Sequence, residues 1–260
     1  MRARPAIAET TMMKRTYFLS DAHLGLRLVE NPQEHQMKLV RFLDSIKNDA
    51  ETIYLMGDIF DFWFEFKNYI QPDFEILFSK LKELIGVGIS VHFFVGNHDM
   101  WTFGYLEKEI GLIVHRTSEV VKIADKTFFL AHGHKLEGKH LPTKLMHAIF
   151  ENRFLQKMFF SFFPPKLGLG LGYAWSRRNR RKHCAHDNNY LGENNERLVQ
   201  FSKQYLAQHP SIDFFVFGHR HILLDLQLNS RSRLLILGDW INLFSYAVFD
   251  GKTMTVEHYV

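Results

Sequence analysis

Short apolar segments rich in β-branched and aromatic residues recur along the chain, and each predicts a buried strand. The six segments are Thr16 to Ser20, Thr52 to Met56, Val91 to Val95, Thr127 to Ala131, Asp213 to Phe217 and Leu234 to Leu237. Apolar residues at helical spacing occupy three further segments, which are Glu34 to Ile46, Asp73 to Ile85 and Glu193 to Gln208. This alternation predicts an α/β fold in which helices flank a core of strands.

The C-terminal sequence YAVFDGKTMTVEHYV predicts a β-hairpin that turns at Asp250-Gly251. Alternating strands and helices early in the chain, with antiparallel pairs late, predict mixed sheet structure that is two-layered or sandwiched. A chain of 260 residues that is 46% hydrophobic and 23% charged fits one domain, or one domain with a sizeable insertion.

Five of the predicted strands end at carboxylate, imidazole or carboxamide side chains, usually with a glycine beside them. In chain order, these ends are Asp21-Ala22-His23, Gly57-Asp58, Gly96-Asn97-His98-Asp99, His132-Gly133-His134 and Gly218-His219-Arg220-His221. Any single one fits a turn or a helix cap. Five in series favour convergence on a metal or substrate, because ligands bind beyond the carboxyl ends of strands and buried charges need compensation.

The available donors are oxygen and imidazole nitrogen without thiolate, a set that suits Mn, Fe or Zn ions. Seven residues supply them: Asp21, His23, Asp58, Asn97, His132, His219 and His221. Seven donors are too many for one four-coordinate ion, whereas two ions about 3.5–4 Å apart that share a carboxylate would use them all. Such a pair activates water and binds phosphoryl oxygens, so the predicted chemistry is phosphoester hydrolysis.

Composition restricts where such a protein would work. The single cysteine, Cys184, excludes an intramolecular disulfide and suits a reducing compartment. Residues 1–14, expected to be a flexible extension, lack the apolar stretch of a secretory signal. The most apolar stretch, Met158 to Pro165, is far shorter than the roughly 20 residues of a membrane-spanning helix. We therefore do not expect an integral membrane protein.

The ordered motifs Asp-x-His, Gly-Asp-x-x-Asp, Gly-Asn-His-Asp, His and Gly-His-x-His resemble those of the calcineurin-like metallophosphoesterases. The resemblance extends from about Tyr17 to the end of the chain. It implies a four-layered α/β/β/α sandwich over residues 15–260, with a dinuclear metal site at one edge. The implied ligands of one ion are Asp21, His23, Asp58 and His221, and those of the other are Asp58, Asn97, His132 and His219. The resemblance also implies that His98 protonates the leaving oxygen or binds phosphate, and that Asp61 orients His98.

Residues 135–192 lack a strand signal, and they predict a helical, hydrophobic lid inserted into the domain. Apolar residues recur at helical spacing from Leu141 to Phe163. This segment either packs on its own domain as an ordinary helix, or it lines an acyl-chain tunnel or lies in a membrane interface. The basic sequence behind it contains Arg177, Arg180, Arg181 and Lys182. These side chains either lie at a solvated helix end without binding anything, or they bind phosphate groups, anionic lipid headgroups or nucleic acid.

Several features together are similar to one subfamily, the UDP-2,3-diacylglucosamine hydrolases of lipid A synthesis. They are Trp63 in GDIFDFW, the hydrophobic insertion with its basic continuation, and the run LGDWINLFSYAVFDG. The similarity implies hydrolysis of the pyrophosphate bond of UDP-2,3-diacylglucosamine to UMP and lipid X, with two divalent ions that are usually Mn²⁺. It also implies a cytoplasmic enzyme attached peripherally to the inner membrane. Asn97 and the four basic residues named above would bind the nucleotide-lipid substrate.

Two departures from the subfamily leave other substrates open. This chain has His98 where many members carry Arg, and His134 where many carry Asp. The alternative enzyme is a phosphodiesterase or phosphatase that acts on a soluble nucleotide or a phosphoprotein. Nucleic acid is not expected as a partner, because the net charge of +4 is mild and no basic stripe is present elsewhere. A non-catalytic binding module on the same fold would be expected to lose metal ligands, whereas all seven are present.

Overall fold

The structure is a computed structural model that describes residues 14–65, 69–137, 152–162, 164–165, 167–174 and 189–260. The described strands form two mixed sheets, one with six strands and one with five. Helices follow or precede the parallel strands of both sheets. The predicted mixed α/β fold is therefore confirmed.

The first sheet combines the N-terminal βαβ units with the C-terminal hairpin. Its strands are β1 (Arg15–Leu19), β2 (Ala50–Leu55), β3 (Ser90–Phe94), β4 (Ile113–His115), β10 (Ser245–Phe249) and β11 (Met254–His258). Their order across the sheet is β11-β10-β1-β2-β3-β4. Strands β1 to β4 are parallel, and β10 is antiparallel to β1. Helix α1 (Pro32–Ser45) follows β1, and helix α2 (Glu75–Gly86) follows β2 after the short 3₁₀ turn Pro72–Phe74.

The second sheet has three parallel central strands and two antiparallel edge strands. Its members are β5 (Glu119–Ile123), β6 (Lys126–Ala131), β7 (Phe214–Phe217), β8 (Leu223–Gln227) and β9 (Arg233–Leu237). They are ordered β5-β6-β7-β9-β8, with β6, β7 and β9 parallel. A helix that precedes β7 begins at Arg197 rather than at the predicted Glu193, because residues 193–195 form a turn ahead of it.

Alternating side chains of β1 show how the two sheets and the helices pack. The Phe18 ring faces the second sheet and stacks on Phe128 of β6, with 5.8 Å between ring centroids. Tyr17 faces the other way, and its ring meets that of Phe42 in α1 edge-on at 6.3 Å. On the outer face of the second sheet, Phe129 packs against the helix Arg197–Gln208. In the described part of the chain, apolar contacts thus link a helix to the first sheet, the first sheet to the second, and the second sheet to another helix.

Three strands were not predicted from the apolar pattern. Strand β4 has only three residues, and the edge strands β5 and β8 leave alternate side chains exposed. None of the three therefore contains the continuous apolar run by which the other strands were predicted. A single π-helical turn at Leu106–Ile110, just ahead of β4, was also not predicted.

The structure describes part of the predicted lid. Helix α3 (Arg153–Phe162) and the helical residues 167–174 lie beside the loops that follow β2 and β3. The ring of Phe159 in α3 meets Phe64 edge-on at 5.7 Å and Trp101 at 5.5 Å, and Leu169 joins the same cluster. Residues 141–151 and Phe163 of the predicted helix lie outside the described residues. So do four predicted substrate-binding residues, Arg177, Arg180, Arg181 and Lys182.

The extent of the lid, residues 135–192, stays a prediction, as does the flexible extension at residues 1–14. Helix α4 (Arg197–Gln208) begins shortly after the predicted lid and packs on the second sheet. Within the residues that the structure describes, no helix is both long enough and apolar enough to cross a membrane.

Candidate metal centre

The loops after β1, β2, β3, β6 and β7 carry the predicted ligands to one edge of the two sheets. Strands β1 to β3 are parallel neighbours, as are β6 and β7, so within each sheet their carboxyl ends share an edge. Backbone hydrogen bonds join these loops: the amide of Asp21 donates to the carbonyl of Gly57 at 3.0 Å, and that of Gly218 to His132 at 3.0 Å. Polar side chains from five separate strand ends therefore lie together.

Five of the predicted ligands hold a left-handed backbone conformation that is rare outside glycine. They are Asp21, His23, Asp58, His219 and His221, with φ angles between 45° and 71°. Two glycines permit the loops to approach closely. A Cβ atom on Gly96 would collide with the Asp58 carboxylate, and one on Gly218 would collide with Ser20 and Asp21. Each left-handed residue costs about 1–3 kcal/mol of conformational free energy, so the surrounding packing must hold the backbone in that conformation.

The first group of donors is Asp21, His23 and His221, whose ligand atoms lie within 4.8 Å of one another. Asp21 Oδ1 is 3.7 Å from His23 Nε2 and 3.5 Å from His221 Nε2. The two imidazole Nε2 atoms are 3.2 Å apart. Two ligands about 2.1 Å from one ion, at angles of about 90–110°, are separated by about 3.0–3.4 Å. The spacing is therefore close to that of ligands around a common cation.

The second group of donors is Asp58, His132 and His219, again with ligand atoms within 4.8 Å. His132 Nε2 is 3.3 Å from Asp58 Oδ2, while its Nδ1 lies 2.8 Å from the carbonyl oxygen of Met56. Because a carbonyl oxygen only accepts, Nδ1 carries a proton and Nε2 of the neutral ring presents its lone pair. Asp58 Oδ2 is also 3.8 Å from His23 Nε2, so Asp58 contacts both groups. The assignment of each ligand to a particular ion stays a prediction.

Several buried atoms at this edge fit a divalent cation as their partner. Asp21 Oδ1, Asn97 Oδ1 and His132 Nε2 are buried, and none makes a hydrogen bond within the described part of the chain. Most buried polar atoms in proteins are hydrogen-bonded, so three such atoms at one place need an explanation. Oxygen and imidazole donors without thiolate are the ligands that Mn, Fe and Zn ions accept. The residues present therefore fit a pair of divalent ions.

Imidazole groups keep the buried carboxylates of Asp21 and Asp58 ionised. Burial by itself would raise both pKa values, because a low-dielectric interior disfavours charge. The neighbouring His221 instead lowers the pKa of the Asp21 carboxyl, and His132 holds the pKa of Asp58 well below its usual range. Burial likewise opposes protonation of His132, but the Asp58 carboxylate outweighs it and raises the pKa of His132 to about 9. A bound cation can replace the proton on His132 and supply the positive charge that the two carboxylates need.

The family model described as Calcineurin-like phosphoesterase matches residues 14–223 of the chain. This chain belongs to that family. The prediction that the protein is a metal-dependent hydrolase is therefore confirmed. A dinuclear divalent metal site is a property of this phosphoesterase family, and the two donor groups fit it.

The phosphoesterase has close relatives that support the subfamily resemblance. It is 39% identical over 257 residues to a UDP-2,3-diacylglucosamine hydrolase of Porphyromonas gingivalis, covering 95% of this chain and 98% of the relative. A protein of the same name from Histophilus somni is 24% identical over 228 residues, covering 88% and 93%. A solved dimetal phosphatase of Danio rerio gives a TM-score of 0.47 at 13% identity, covering 95% of this chain and 99% of that chain. The predicted resemblance is confirmed by the family model and the Porphyromonas relative.

The structure places the two predicted catalytic residues beside the first donor group. The ring of His98 lies edge-on to His23, with 4.8 Å between centroids. His98 Nδ1 is 2.8 Å from the backbone carbonyl oxygen of Asp61, so a proton-transfer role of His98 would fall to Nε2. The Asp61 carboxylate contacts His23, with Oδ1 3.6 Å from His23 Nδ1. Asp61 thus meets His98 through its main chain and His23 through its side chain, and its catalytic role stays a prediction.

Asp239 was not predicted as a site residue, yet its carboxylate faces the predicted ligand His221. Its Oδ2 is 3.6 Å from His221 Nδ1, while its Oδ1 accepts hydrogen bonds from three successive backbone N–H groups of the following turn. A carboxylate held in this way fixes the orientation of a metal-binding imidazole. Asp239 directly follows Gly238 at the end of β9, so the pattern of polar residues at strand ends could have identified it.

We expect the affinity of the phosphoesterase for Mn²⁺ to rise with pH, because the ion must displace the proton that His132 holds below a pKa of about 9. Displacement of one proton gives about tenfold tighter binding per pH unit between roughly pH 6 and 8, and a plateau above the pKa. Calorimetric titration of metal-free protein, in buffers with different ionisation enthalpies, measures both the affinity and the protons released. A constant affinity over this range would contradict the expectation.

Proposed function

We propose that this phosphoesterase hydrolyses UDP-2,3-diacylglucosamine to UMP and lipid X (2,3-diacylglucosamine 1-phosphate) in lipid A biosynthesis. The observation that carries the proposal is the 39% identity to the Porphyromonas gingivalis UDP-2,3-diacylglucosamine hydrolase over 95% of this chain. An alignment of that extent leaves out too few residues to omit the predicted lid at 135–192. The similarity therefore concerns the part of the chain expected to bind substrate as well as the metal centre.

Two bound divalent ions, for which we propose Mn²⁺, would supply the activated water and the positive charge that a phosphoester hydrolase uses. The residues that would hold them are Asp21, His23, Asp58, Asn97, His132, His219 and His221. The chain orients these ligands by hydrogen bonds of its own. The backbone amide of His98 donates to Asp58 Oδ1 at 2.8 Å, and that of His219 donates to Asp21 Oδ2 at 2.8 Å.

His98 would be the proton donor to the leaving group. Its Nδ1–H is occupied by the Asp61 carbonyl, so the proton is delivered from Nε2 of the protonated ring. Water adds to the α-phosphorus, and the bond between that phosphorus and the bridging oxygen breaks. The bridging oxygen leaves with the phosphate of lipid X and takes the proton, while UMP keeps the oxygen atom of the water. The proton that the water loses passes to solvent, from which His98 is protonated again.

The test is release of UMP from UDP-2,3-diacylglucosamine by Mn²⁺-loaded protein, followed by chromatography. We expect UMP and lipid X with the wild type and none with Asp58→Ala, since Asp58 contacts both donor groups. Asp225→Ala is the matched control, because this aspartate lies on the partly exposed strand β8 and pairs there with Arg233 of β9. Protein that hydrolyses an aryl phosphodiester but releases no UMP would support the two-metal chemistry and reject UDP-2,3-diacylglucosamine as the substrate.

Replacement of His98 by Ala tests the proton donor. We expect kcat to fall by about 10²–10⁴-fold for the nucleotide-lipid, because the leaving phosphate oxygen then departs without a proton. The loss should be larger for an alkyl phosphodiester, because an alkoxide leaving group is far more basic than a phosphate and depends more on the donated proton. His209→Ala, at an exposed histidine near the end of α4, serves as control. An equal loss for both substrates would contradict proton donation by His98.

We further propose that the enzyme is cytoplasmic and binds peripherally to the inner membrane through helix α3. One side of α3 packs on the domain through Phe159. Phe154, Met158 and Phe162, which we call the α3 stripe, are 73%, 44% and 75% exposed. Their four-residue spacing sets them in a row on one side of the helix. A row of large exposed apolar side chains favours burial in a lipid surface.

Flotation with vesicles made from phosphatidylethanolamine and phosphatidylglycerol tests this attachment. We expect the wild type to float with the vesicles and the double variant Phe154→Ser/Phe162→Ser to remain in solution, because the apolar area available to the lipid is lost. Ile76→Ser, at a 52% exposed position on α2, is the matched control and should float like the wild type. Complete recovery of wild-type protein away from the vesicles would reject membrane attachment.

A further inference from the structure

A cluster of three charged residues, here called the clamp, lies next to the second group of metal donors. It consists of Arg220, Glu137 and Glu196. Arg220 stands between the ligands His219 and His221 in the sequence. Its Nε and Nη2 donate to the two carboxylate oxygens of Glu196 at 3.0 and 3.3 Å, and its Nε lies 3.9 Å from Glu137 Oε1.

The pair of Arg220 and Glu196 is an anchor within the clamp. The Arg220 side chain is 10% exposed and that of Glu196 is 1% exposed. A carboxylate so deeply buried requires a charged partner, and the two-point contact with a guanidinium also fixes the direction of both groups. Glu196 directly precedes α4, and its carbonyl accepts the backbone N–H of Gln200 at 3.0 Å. Arg220 is thereby attached to the start of a packed helix.

Glu137 is the second acid on the same guanidinium, so the clamp carries one more negative than positive charge. That acid faces the metal centre: Glu137 Oε2 is 3.7 Å from His219 Nε2. The main chain of Glu137 is held as well, because its carbonyl accepts a hydrogen bond from Arg197 Nη1 at 3.0 Å. The carboxylate of Glu137 therefore lies between the anchored Arg220 and the imidazole of His219.

The three other predicted imidazole ligands also have an acceptor at one ring nitrogen, which is Nδ1 in each, whereas Glu137 faces Nε2 of His219 and leaves its Nδ1 for an ion. His23 Nδ1 faces the Asp61 carboxylate at 3.6 Å, His221 Nδ1 faces Asp239 at 3.6 Å, and His132 Nδ1 meets the Met56 carbonyl at 2.8 Å. An acceptor on the second nitrogen orients a metal-binding imidazole and raises its basicity. Among the described residues, Glu137 is the carboxylate that takes this place beside His219.

We propose that Glu137 positions the imidazole of His219 for metal binding, and that Arg220, anchored on Glu196, holds Glu137 in that position. Glu137 acts through His219 and is a positioning residue. The proposal rests on the metal centre and not on the identity of the substrate. Metal affinity therefore tests it, whatever the phosphoesterase hydrolyses.

The first variant is Glu137→Gln, which keeps the size of the side chain and removes its charge. We expect one of two Mn²⁺ ions to bind about 10–100-fold more weakly and the other to bind as in the wild type. Calorimetric titration of metal-free protein with Mn²⁺ measures both affinities. Glu119→Gln is the matched control, because Glu119 Oε1 lies 3.7 Å from His115 Nδ1, the same acid–imidazole spacing away from the metal centre. Wild-type affinity for both ions in Glu137→Gln would overturn the proposal.

The second variant, Arg220→Ala, tests the anchor and should weaken the same ion as Glu137→Gln does. Its matched control is Arg231→Ala, which breaks a two-point pair with the buried Asp213 at the opposite end of β7. Arg231→Ala should bind both ions as the wild type does. An equal loss of Mn²⁺ affinity in the two arginine variants would attribute the effect to general destabilisation and overturn the role of the clamp. If Arg220→Ala does not fold, Glu137→Gln alone decides the proposal.

Discussion

The burial of two carboxylates at one edge of the sheets is the constraint on which the rest of the site depends. Asp21 and Asp58 are 0% and 2% exposed, and an ionised carboxylate at such depth is very costly without compensation. Backbone N–H groups and imidazoles supply part of that compensation, and the low pKa values of both acids follow from it. Binding of divalent ions and stability of this edge are therefore one linked equilibrium.

The aromatic core between the sheets supports this costly edge. Phe18 stacks on Tyr54 of the neighbouring strand at 5.0 Å and on Phe128 of the opposite sheet at 5.8 Å, and it is fully buried. Such packing fixes the strands relative to each other, so the left-handed turns at Asp21 and Asp58 are imposed by elements with no freedom to relax them. The packing of the strands thus helps to set the positions of the predicted metal donors.

Strand ends were predictable from the sequence because both signals, a buried apolar run and a following polar group, are local in the chain. The groups that face the predicted ligands were not predictable, because those contacts form only in the tertiary structure. Glu137 meets His219 although 82 positions separate them, and nothing in the sequence around Glu137 indicates that contact. Spacing also does not reveal that the Asp61 carboxylate faces His23 while its carbonyl meets His98. Edge strands β5 and β8 escaped prediction because their exposed faces interrupt the apolar pattern.

The predicted lid is connected to the metal centre at its middle and at its start, and Glu196, just beyond its end, makes a further connection. Phe159 of α3 packs on Phe64 and Trp101, which continue the loops that carry Asp58 and Asn97. Glu137, near the start of the lid, and Glu196 both contact Arg220, which stands between the predicted ligands His219 and His221. For a substrate that contacts both the lid and the ions, thermodynamic linkage requires that any factor by which bound ions change its affinity is also the factor by which it changes theirs.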